Sequence, residues 1–242
     1  MASTLRKILG KTIYETLFKY YTINSLKNTI SIIKKNSGKY NYESGTRFLF
    51  SENAKMIVPM QHVEELIELA KIIEDKKPKT ILEIGTARGG TLFLASQLAA
   101  DDALIVSIDL PDGMYGGGYP KWKIPFYLSF KKTNQRIELI QGDSHSDEIF
   151  QQLKAVLKDR KIDYLFIDGD HTFEGVKKDF DTYTTLLNEK AIVAFHDIGK
   201  DLSEVPNHFV HEYWESIKKN YNYREIIKDP KQSKLGIGVI QF

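Results

Sequence analysis

Apolar and polar positions follow two periods along this chain, one typical of strands and the other of helices. Short apolar runs with the length of buried strands end in small or acidic residues, whereas longer stretches repeat their apolar positions every three or four residues. The strand-like runs are 80–84, 104–108, 136–141, 163–167, 191–195, 223–227 and 236–241, and helical patterns lie at 61–75, 147–158, 173–187 and 206–219. Strands alternating with helices predict a doubly wound, mostly parallel α/β sheet that ends in an antiparallel hairpin.

The first strand-like run stops at Gly85, where a turn of small residues opens into a helix near Thr91. Glycines let the backbone come close to a ligand, and the start of a helix offers free N–H groups. The next strand-like run ends in Asp109, 20 residues beyond Gly89, where open α/β sheets hold the ribose hydroxyls of a ligand. The turn and the distant acid together predict a nucleoside-binding site.

Two later strand-like runs each end in an Asp/His cluster. The run at 163–167 leads into Asp168 and His171, and the run at 191–195 leads into His196 and Asp197. If these strands are neighbours, Asp168 and Asp197 project from one sheet edge, where carboxylates suit a hard divalent ion such as Mg²⁺ or Mn²⁺. An Asp after a strand is also a common turn former, but the pair favours a metal site. His171 is then a candidate general base, and its alternative role is to cap the following helix.

Composition narrows the classes of protein that fit this pattern. The 242 residues are 42% hydrophobic and 12% aromatic, which is enough for a sizeable core. The chain has no cysteine, which excludes disulfides, thiolate metal ligands and cysteine nucleophiles. No apolar run has the length of a membrane span, so we expect a cytoplasmic protein.

Charge is divided unevenly between the N-terminal segment and the rest. Residues 1–40 hold eight basic residues and one acidic residue, a net charge of +7, which leaves −5 for the remainder of a chain whose total is +2. Residues 3–35 show the pattern of two amphipathic helices, and residues 36–47 that of a linker or a loop over the site. We therefore divide the chain into an N-terminal helical extension, 1–50, and a catalytic domain, 51–242. Residues 1–40 either pack on the core or a partner subunit of a homo-oligomer, or lie on a membrane surface.

A glycine-rich segment with interspersed aromatic residues, 111–122, follows Asp109. It starts at the carboxyl end of a strand, where open α/β sheets bind ligands. The segment is either a lid that contacts substrate or an ordinary surface loop.

Taken together, these residues resemble the class I S-adenosylmethionine-dependent methyltransferases. The turn after the first strand is similar to the first motif of that family, Asp109 to its ribose-binding acid, and residues 142–144 to the stretch that contacts adenine. The resemblance covers about residues 55–242 and implies a Rossmann-like sheet of seven strands. It implies cofactor contacts at Glu83, Gly85, Thr86, Ala87, Gly89, Gly90, Asp109, Asp143 and Ser144.

Residues 166–179 and 195–197 narrow the resemblance to metal-dependent O-methyltransferases of the cephalosporin hydroxylase and macrolide-sugar methyltransferase group. This implies a metal at Asp168, His196 and Asp197, with His171 as the base and a small molecule or glycan as the acceptor. Three features depart from the pattern. Ala87 stands where a glycine is common, His196 replaces an acid and favours a softer metal or lies outside the ligand set, and the first 50 residues match no known motif.

Three other functions fit parts of the sequence. The turn and Asp109 also approximate the fingerprint of a nicotinamide oxidoreductase, but Glu83 occupies a strand position that such enzymes keep apolar. A binding protein on an inactive methyltransferase fold would leave Asp168, His171 and Asp197 without a role. Nucleic-acid modification is disfavoured because basic residues gather on one terminal segment of an otherwise acidic chain.

Overall fold

A single seven-stranded sheet forms the centre of the protein. The computed structural model describes residues 11–111, 118–199, 209–229 and 235–242. The strands are β1 (Thr80–Ile84), β2 (Leu104–Asp109), β3 (Arg136–Gln141), β4 (Ile162–Ile167), β5 (Leu187–His196), β6 (Asn222–Ile226) and β7 (Ile237–Gln241). Their order is β3-β2-β1-β4-β5-β7-β6, with β1 to β5 parallel and β7 antiparallel to both of its neighbours. The predicted fold class and terminal hairpin are therefore confirmed.

Helices cover both faces of the sheet. They are α1 (Lys11–Lys35), α2 (Tyr42–Leu49), α3 (Val63–Lys76), α4 (Gly90–Leu98), α5 (Ile124–Leu128), α6 (Asp147–Leu157), α7 (Phe173–Tyr183) and α8 (Val210–Ile217). Two apolar clusters result, one on each face, because the parallel strands carry apolar side chains in both directions. The helix predicted at 173–187 ends earlier, and β5 begins at Leu187 instead. The first residues predicted for the helix at 206–219 lie outside the described residues.

The N-terminal segment differs from its prediction. Where two helices were expected, the described part is one continuous helix, α1, while residues 3–10 lie outside the described range. Leu26, Ile30 and Ile33 are buried and belong to the same apolar cluster as β1 and α3. The end of α1 therefore packs on the core. The division of the chain at residue 50 stays a prediction. Across the described residues, no helix combines the length and the apolar character needed to cross a membrane.

Residues 36–47 were predicted to be a linker or loop, and that prediction is wrong for the second half of the segment. The Asn41 side chain accepts hydrogen bonds from the backbone N–H groups of Glu43 and Ser44, and the Ser44 hydroxyl accepts one from Asn41 N. This capping box satisfies donors that would otherwise be unpaired and starts α2 at Tyr42. The polar composition that suggested a loop is thus the start signal of a helix.

Candidate active site

The turn after β1 is built around a glycine that no other residue could replace. Gly85 has a φ of +95°, in the left-handed region, and a Cβ there would lie 2.0 Å from the carbonyl oxygen of Asp168. Gly85 N also donates to the carbonyl of Ile108 at 2.8 Å. The turn is therefore in direct backbone contact with the end of β4, as close approach by a glycine permits.

Two further residues of the turn, before the start of α4, also have a positive φ. Ala87 has a φ of +43°, and Gly89, the N-cap residue of α4, has a φ of +83°. The hydroxyl of Tyr127 donates to the carbonyl of Ala87 at 3.0 Å. A left-handed conformation at Ala87 explains why glycine is common at this position in the family that the sequence resembles.

Asp109 serves as the anchor of the turn. Its Oδ2 accepts hydrogen bonds from Thr86 N at 2.9 Å and Ala87 N at 2.7 Å, and its Oδ1 accepts one from Leu110 N at 2.8 Å. Gly118 N lies 3.1 Å from both oxygens. Burial raises the pKa of Asp109, and these hydrogen bonds oppose that rise. The carboxylate shapes the cleft, and its contact with a ribose stays a prediction.

Glu83 lies beneath the turn and does not line the cleft. Ser107 Oγ donates to Glu83 Oε2 at 2.5 Å, and the Ser107 and Thr86 hydroxyls are 2.6 Å apart. Because Ser107 has one hydroxyl hydrogen and gives it to Glu83, the Thr86 hydroxyl donates to Ser107. Burial raises the pKa of Glu83 to about 7. The structure thus gives Glu83 a supporting position under the predicted cofactor contacts.

A cleft of about 500 Å³ lies between this turn and the far ends of β4 and β5. Its volume is within the range of small-molecule sites. Most of the residues predicted from the sequence line it: Gly85, Thr86, Ala87, Gly90, Asp109, Asp143, Ser144, Asp168, His171, His196 and Asp197. Glu83 and Gly89 support the cleft from outside its lining. Residues 112–117 of the predicted lid lie outside the described residues.

The Asp/His edge forms where β4 and β5 pair side by side, with Ile167 opposite Phe195. The Oδ1 atom of Asp168 lies 3.3 Å from His171 Nε2 and 3.1 Å from His196 Nδ1. Asp197 reaches the same histidines, with Oδ1 at 3.4 Å from His196 Nδ1 and Oδ2 at 3.7 Å from His171 Nδ1. The two strands are neighbours, which was the condition for the predicted shared site, and their pairing explains how residues far apart in sequence share one edge.

Charges at this edge stabilise one another. Burial tends to raise the pKa of Asp168, but His196 and His171 outweigh it and hold that pKa below its ordinary range. Burial disfavours a charged imidazole, yet the neighbouring carboxylates raise the pKa of His196 to about 9 and also raise the pKa of His171. Two carboxylates placed so close together therefore need positive charge between them.

The donor set at this edge fits a divalent cation. Asp168, His171 and Asp197 each offer one ligand atom, and these atoms lie within 4.8 Å of one another. Two carboxylates with an imidazole suit Mn²⁺, Fe²⁺ or Zn²⁺, and the carboxylates alone suit Mg²⁺. His196, which the sequence placed in the ligand set, turns Nδ1 toward the carboxylates and has a buried Nε2 with no hydrogen-bond partner among the described residues.

His171 is not the cap of the following helix. The hydroxyl of Thr172 caps α7 by accepting a hydrogen bond from Gly175 N at 3.0 Å. The His171 side chain is 33% exposed, whereas that of His196 is 3% exposed. Both histidines line the cleft, and His171 is therefore the more accessible of the two to a ligand.

Two polar groups at the cleft were not found from the sequence. Gln61 Nε2 donates to Asp168 Oδ2 at 3.3 Å, and no motif marks this position. His145 Nε2 lies 3.2 Å from Asp179 Oδ1, and Asp179 is fully buried. The position of His145, directly after Ser144, was a usable signal, but nothing in the sequence pairs it with Asp179.

Comparison with known proteins adds to this geometry. Residues 82–198 match a family model described as a methyltransferase domain. An uncharacterised protein of Acanthamoeba polyphaga mimivirus is 30% identical over 136 residues, which are 56% of this chain and 58% of that protein. The chain spans less than two thirds of the length of the curated relatives that it matches.

Solved structures share the fold. An O-methyltransferase from Bacillus cereus, in complex with SAH, superposes with a TM-score of 0.55 at 15% identity, over 82% of this chain and 91% of that one. A proposed caffeoyl-CoA O-methyltransferase from Staphylococcus aureus gives a TM-score of 0.56 at 23% identity, over 88% and 99% of the two chains. At these identities the likeness concerns the fold.

Proposed function

We propose that this protein uses S-adenosylmethionine to methylate a hydroxyl oxygen of a small acceptor with the help of a divalent metal. The match of residues 82–198 to a methyltransferase-domain model and the fold shared with solved O-methyltransferases support this proposal. One observation carries the proposal: the glycine turn and the Asp/His edge open into the same cleft. A methyl donor held by the turn would place its sulfonium near the groups that activate an acceptor. Proximity of this kind supplies a large part of the catalysis of methyl transfer.

The proposed metal ligands are Asp168 and Asp197, with His196 beside them. His171, which could also offer a ligand atom, is assigned to proton transfer instead. A bound divalent cation supplies positive charge that lowers the pKa of an acceptor hydroxyl. The two carboxylates hold their oxygens at this edge without it, since the histidines supply compensating charge. Displacement of protons from those histidines would accompany metal binding, which makes metal affinity rise with pH.

The proposed base is His171. Its half-buried imidazole lies 3.3 Å from Asp168 and 3.7 Å from Asp197, and both carboxylates favour the protonated form that the ring adopts after it takes the acceptor's proton. In the transfer step, a lone pair of the hydroxyl oxygen forms the new O–C bond. The electrons of the S–C bond go to sulfur, and the hydroxyl proton goes to His171. The products are a methyl ether and S-adenosylhomocysteine.

The finer assignments remain proposals. The acceptor is a hydroxyl of a sugar, another polyol or a small natural product, in line with the resemblance to the macrolide-sugar methyltransferase group. The protein acts as a homo-oligomer, and residues 1–40 serve oligomerisation or peripheral membrane contact. Both statements rest on sequence pattern and charge.

Calorimetric titration tests the proposed cofactor. We expect S-adenosylmethionine and S-adenosylhomocysteine to bind and NAD not to bind. Binding of NAD without S-adenosylmethionine would replace the proposal with an oxidoreductase. For the metal, we expect methyl transfer to a panel of sugar and polyol acceptors to stop in EDTA and to recover with Mn²⁺ or Mg²⁺. Unchanged turnover in EDTA would remove the metal from the mechanism.

A further inference from the structure

Gln61 occupies a position in the cleft that its hydrogen bonding does not fully explain. It directly precedes His62, the N-cap residue of α3, and its side chain is 6% exposed while lining the cleft. Nε2 donates to Asp168 Oδ2 at 3.3 Å. The amide is therefore held in place by a residue of the proposed metal site.

The orientation of this amide follows from the chemistry of its partner. An ionised carboxylate only accepts hydrogen bonds, so Gln61 must turn its NH₂ group toward Asp168 and its carbonyl oxygen away from it. That oxygen, Oε1, is buried and has no hydrogen-bond partner among the described residues. A buried acceptor without a donor is costly, and such an atom in a ligand cleft indicates that a ligand supplies the donor.

Two molecules could supply the hydrogen-bond donor for Oε1, the acceptor substrate and the methyl donor. The position of Gln61 relative to Asp168 distinguishes between them. Asp168 Oδ1 faces both histidines, whereas Oδ2 faces Gln61. An acceptor hydroxyl has to lie near His171, on the Oδ1 side. The backbone of Asp168 packs against Gly85 in the turn where the methyl donor is proposed to bind. Because Gln61 contacts Asp168 on the side away from the histidines, its amide is placed to contact the methyl donor.

The surroundings suit a zwitterionic amino acid. The first residue of α4, Gly90, packs against the segment that leads to Gln61, since a Cβ on it would lie 2.4 Å from Ile57 O. The free N–H groups at the start of α4 favour a carboxylate. The carboxylate of Asp168 and Oε1 of Gln61, which line the same cleft, favour a cation.

We propose that Gln61 Oε1 accepts a hydrogen bond from the ammonium group in the amino-acid part of the methyl donor. This inference rests on the proposed function. Asp168 then has a second role beside that of a proposed metal ligand, because it orients the Gln61 amide that contacts the cofactor. The contact distinguishes S-adenosylmethionine and S-adenosylhomocysteine from other adenine nucleosides.

A cycle of variants and ligand analogues tests the contact. Calorimetry would compare S-adenosylhomocysteine with the analogue whose homocysteine is replaced by mercaptobutyrate, which lacks only the amino group. Wild type should bind the deaminated analogue about 10- to 100-fold more weakly, the range for a hydrogen bond to a charged group. Gln61→Met, which keeps the side-chain length without an acceptor oxygen, should lose most of this discrimination. The decarboxylated analogue, which keeps the amine, serves as the control and should lose affinity equally in both proteins.

The outcomes are separable. Equal discrimination in wild type and Gln61→Met would place the ammonium elsewhere and overturn the inference. Unchanged cofactor affinity with a raised KM for the acceptor would assign Oε1 to the acceptor hydroxyl, which also overturns it. If Gln61→Met does not fold, Gln61→Asn, whose amide is one carbon shorter, should show the same loss of discrimination. Failure of wild type to bind S-adenosylhomocysteine at all would instead reject the proposed function.

Discussion

The glycine turn after β1 and the Asp/His edge of β4 and β5 line one cleft, but different kinds of groups form them. Main-chain groups form the turn, and Asp109 is held there by four backbone N–H groups. Side chains form the edge, where Asp168 meets two histidines and a glutamine. The turn therefore depends on backbone conformation, and the edge depends on charge.

This difference predicts different responses to substitution. A substitution that displaces the backbone of the turn should alter stability and cofactor affinity together, because the same backbone atoms serve both. A change of charge at the edge should alter metal binding and rate while the fold remains. The predictions below address one side or the other, from the largest effect to the smallest.

Gly85→Ala should affect the protein most. The new Cβ meets the Asp168 carbonyl at 2.0 Å and the φ of +95° is unfavourable for alanine, so we expect a loss of about 2–6 kcal/mol in the free energy of unfolding. Gly38→Ala is the matched control, since Gly38 has a φ of +75° with no atom within 4 Å of a Cβ. Urea denaturation should show a loss of only about 1 kcal/mol there. Similar losses in the two variants would mean that close packing does not constrain the turn.

His171→Gln should lower the rate of methyl transfer about 10²- to 10⁴-fold, as expected for a missing acid–base group. Affinity for S-adenosylhomocysteine should stay near wild type, because the turn is untouched. The rate deficit should shrink as pH rises, since hydroxide increasingly replaces the base. His62→Gln is the control, because His62 precedes α3 without a side-chain capping bond and does not line the cleft. A wild-type rate for His171→Gln across neutral pH would contradict the assignment.

Glu83→Gln should reveal the titration of the buried carboxyl group beneath the turn. The pKa of Glu83 is raised in the folded protein from an ordinary value of 4.5 to about 7. The contribution of Glu83 to stability should therefore be greatest below pH 4.5, fall as pH rises to about 7 and then level off. The variant lacks this dependence, so it should be more stable than wild type by about 2–3 kcal/mol at pH 8. Thermal unfolding from pH 5 to 8 measures the difference, and parallel curves for the two proteins would contradict it.

Ala87→Gly should have the smallest effect. It removes the strain of a left-handed alanine at φ +43°, which is worth about 1 kcal/mol. Greater freedom of the unfolded glycine offsets part of the gain. We expect the free energy of unfolding to stay equal or rise slightly, with cofactor affinity unchanged. A clear loss of stability would show that the methyl group of Ala87 makes a packing contact that matters more than strain.

The strands of the sheet could be predicted from the sequence because each is marked by a short local run of apolar residues. The runs at 80–84 and 163–167 are mostly apolar, as a strand buried on both faces requires, and each is followed by a residue of the site. The pairing of Asp168 with Asp197 was conditional on the adjacency of β4 and β5, which the structure supplies. By contrast, the polar residues around Asn41 carry a capping signal and a loop signal at once, and the loop interpretation was wrong for α2.

Specific hydrogen bonds between segments far apart in the chain could not be predicted from the sequence. Gln61 meets Asp168 across 107 positions of the sequence, and neither residue's neighbours encode the contact. The role of Asp109 as an anchor was also hidden, because its partners are backbone N–H groups that every turn possesses. The chemistry of the edge could be predicted because its Asp and His residues are recognisable in the sequence. The hydrogen bonds of the turn could not, because they involve backbone groups.

The most direct test of this division is paired titration of Mn²⁺ and S-adenosylhomocysteine into wild type and Asp197→Asn. Asparagine tolerates the φ of +63° at this position, so the variant changes charge while keeping the backbone. We expect wild type to bind both ligands. The variant should bind S-adenosylhomocysteine within about twofold of wild type and Mn²⁺ about 10- to 100-fold more weakly. Unchanged Mn²⁺ affinity in Asp197→Asn, or loss of S-adenosylhomocysteine binding with the fold intact, would contradict the separation of a backbone-built cofactor turn from a charge-built metal edge.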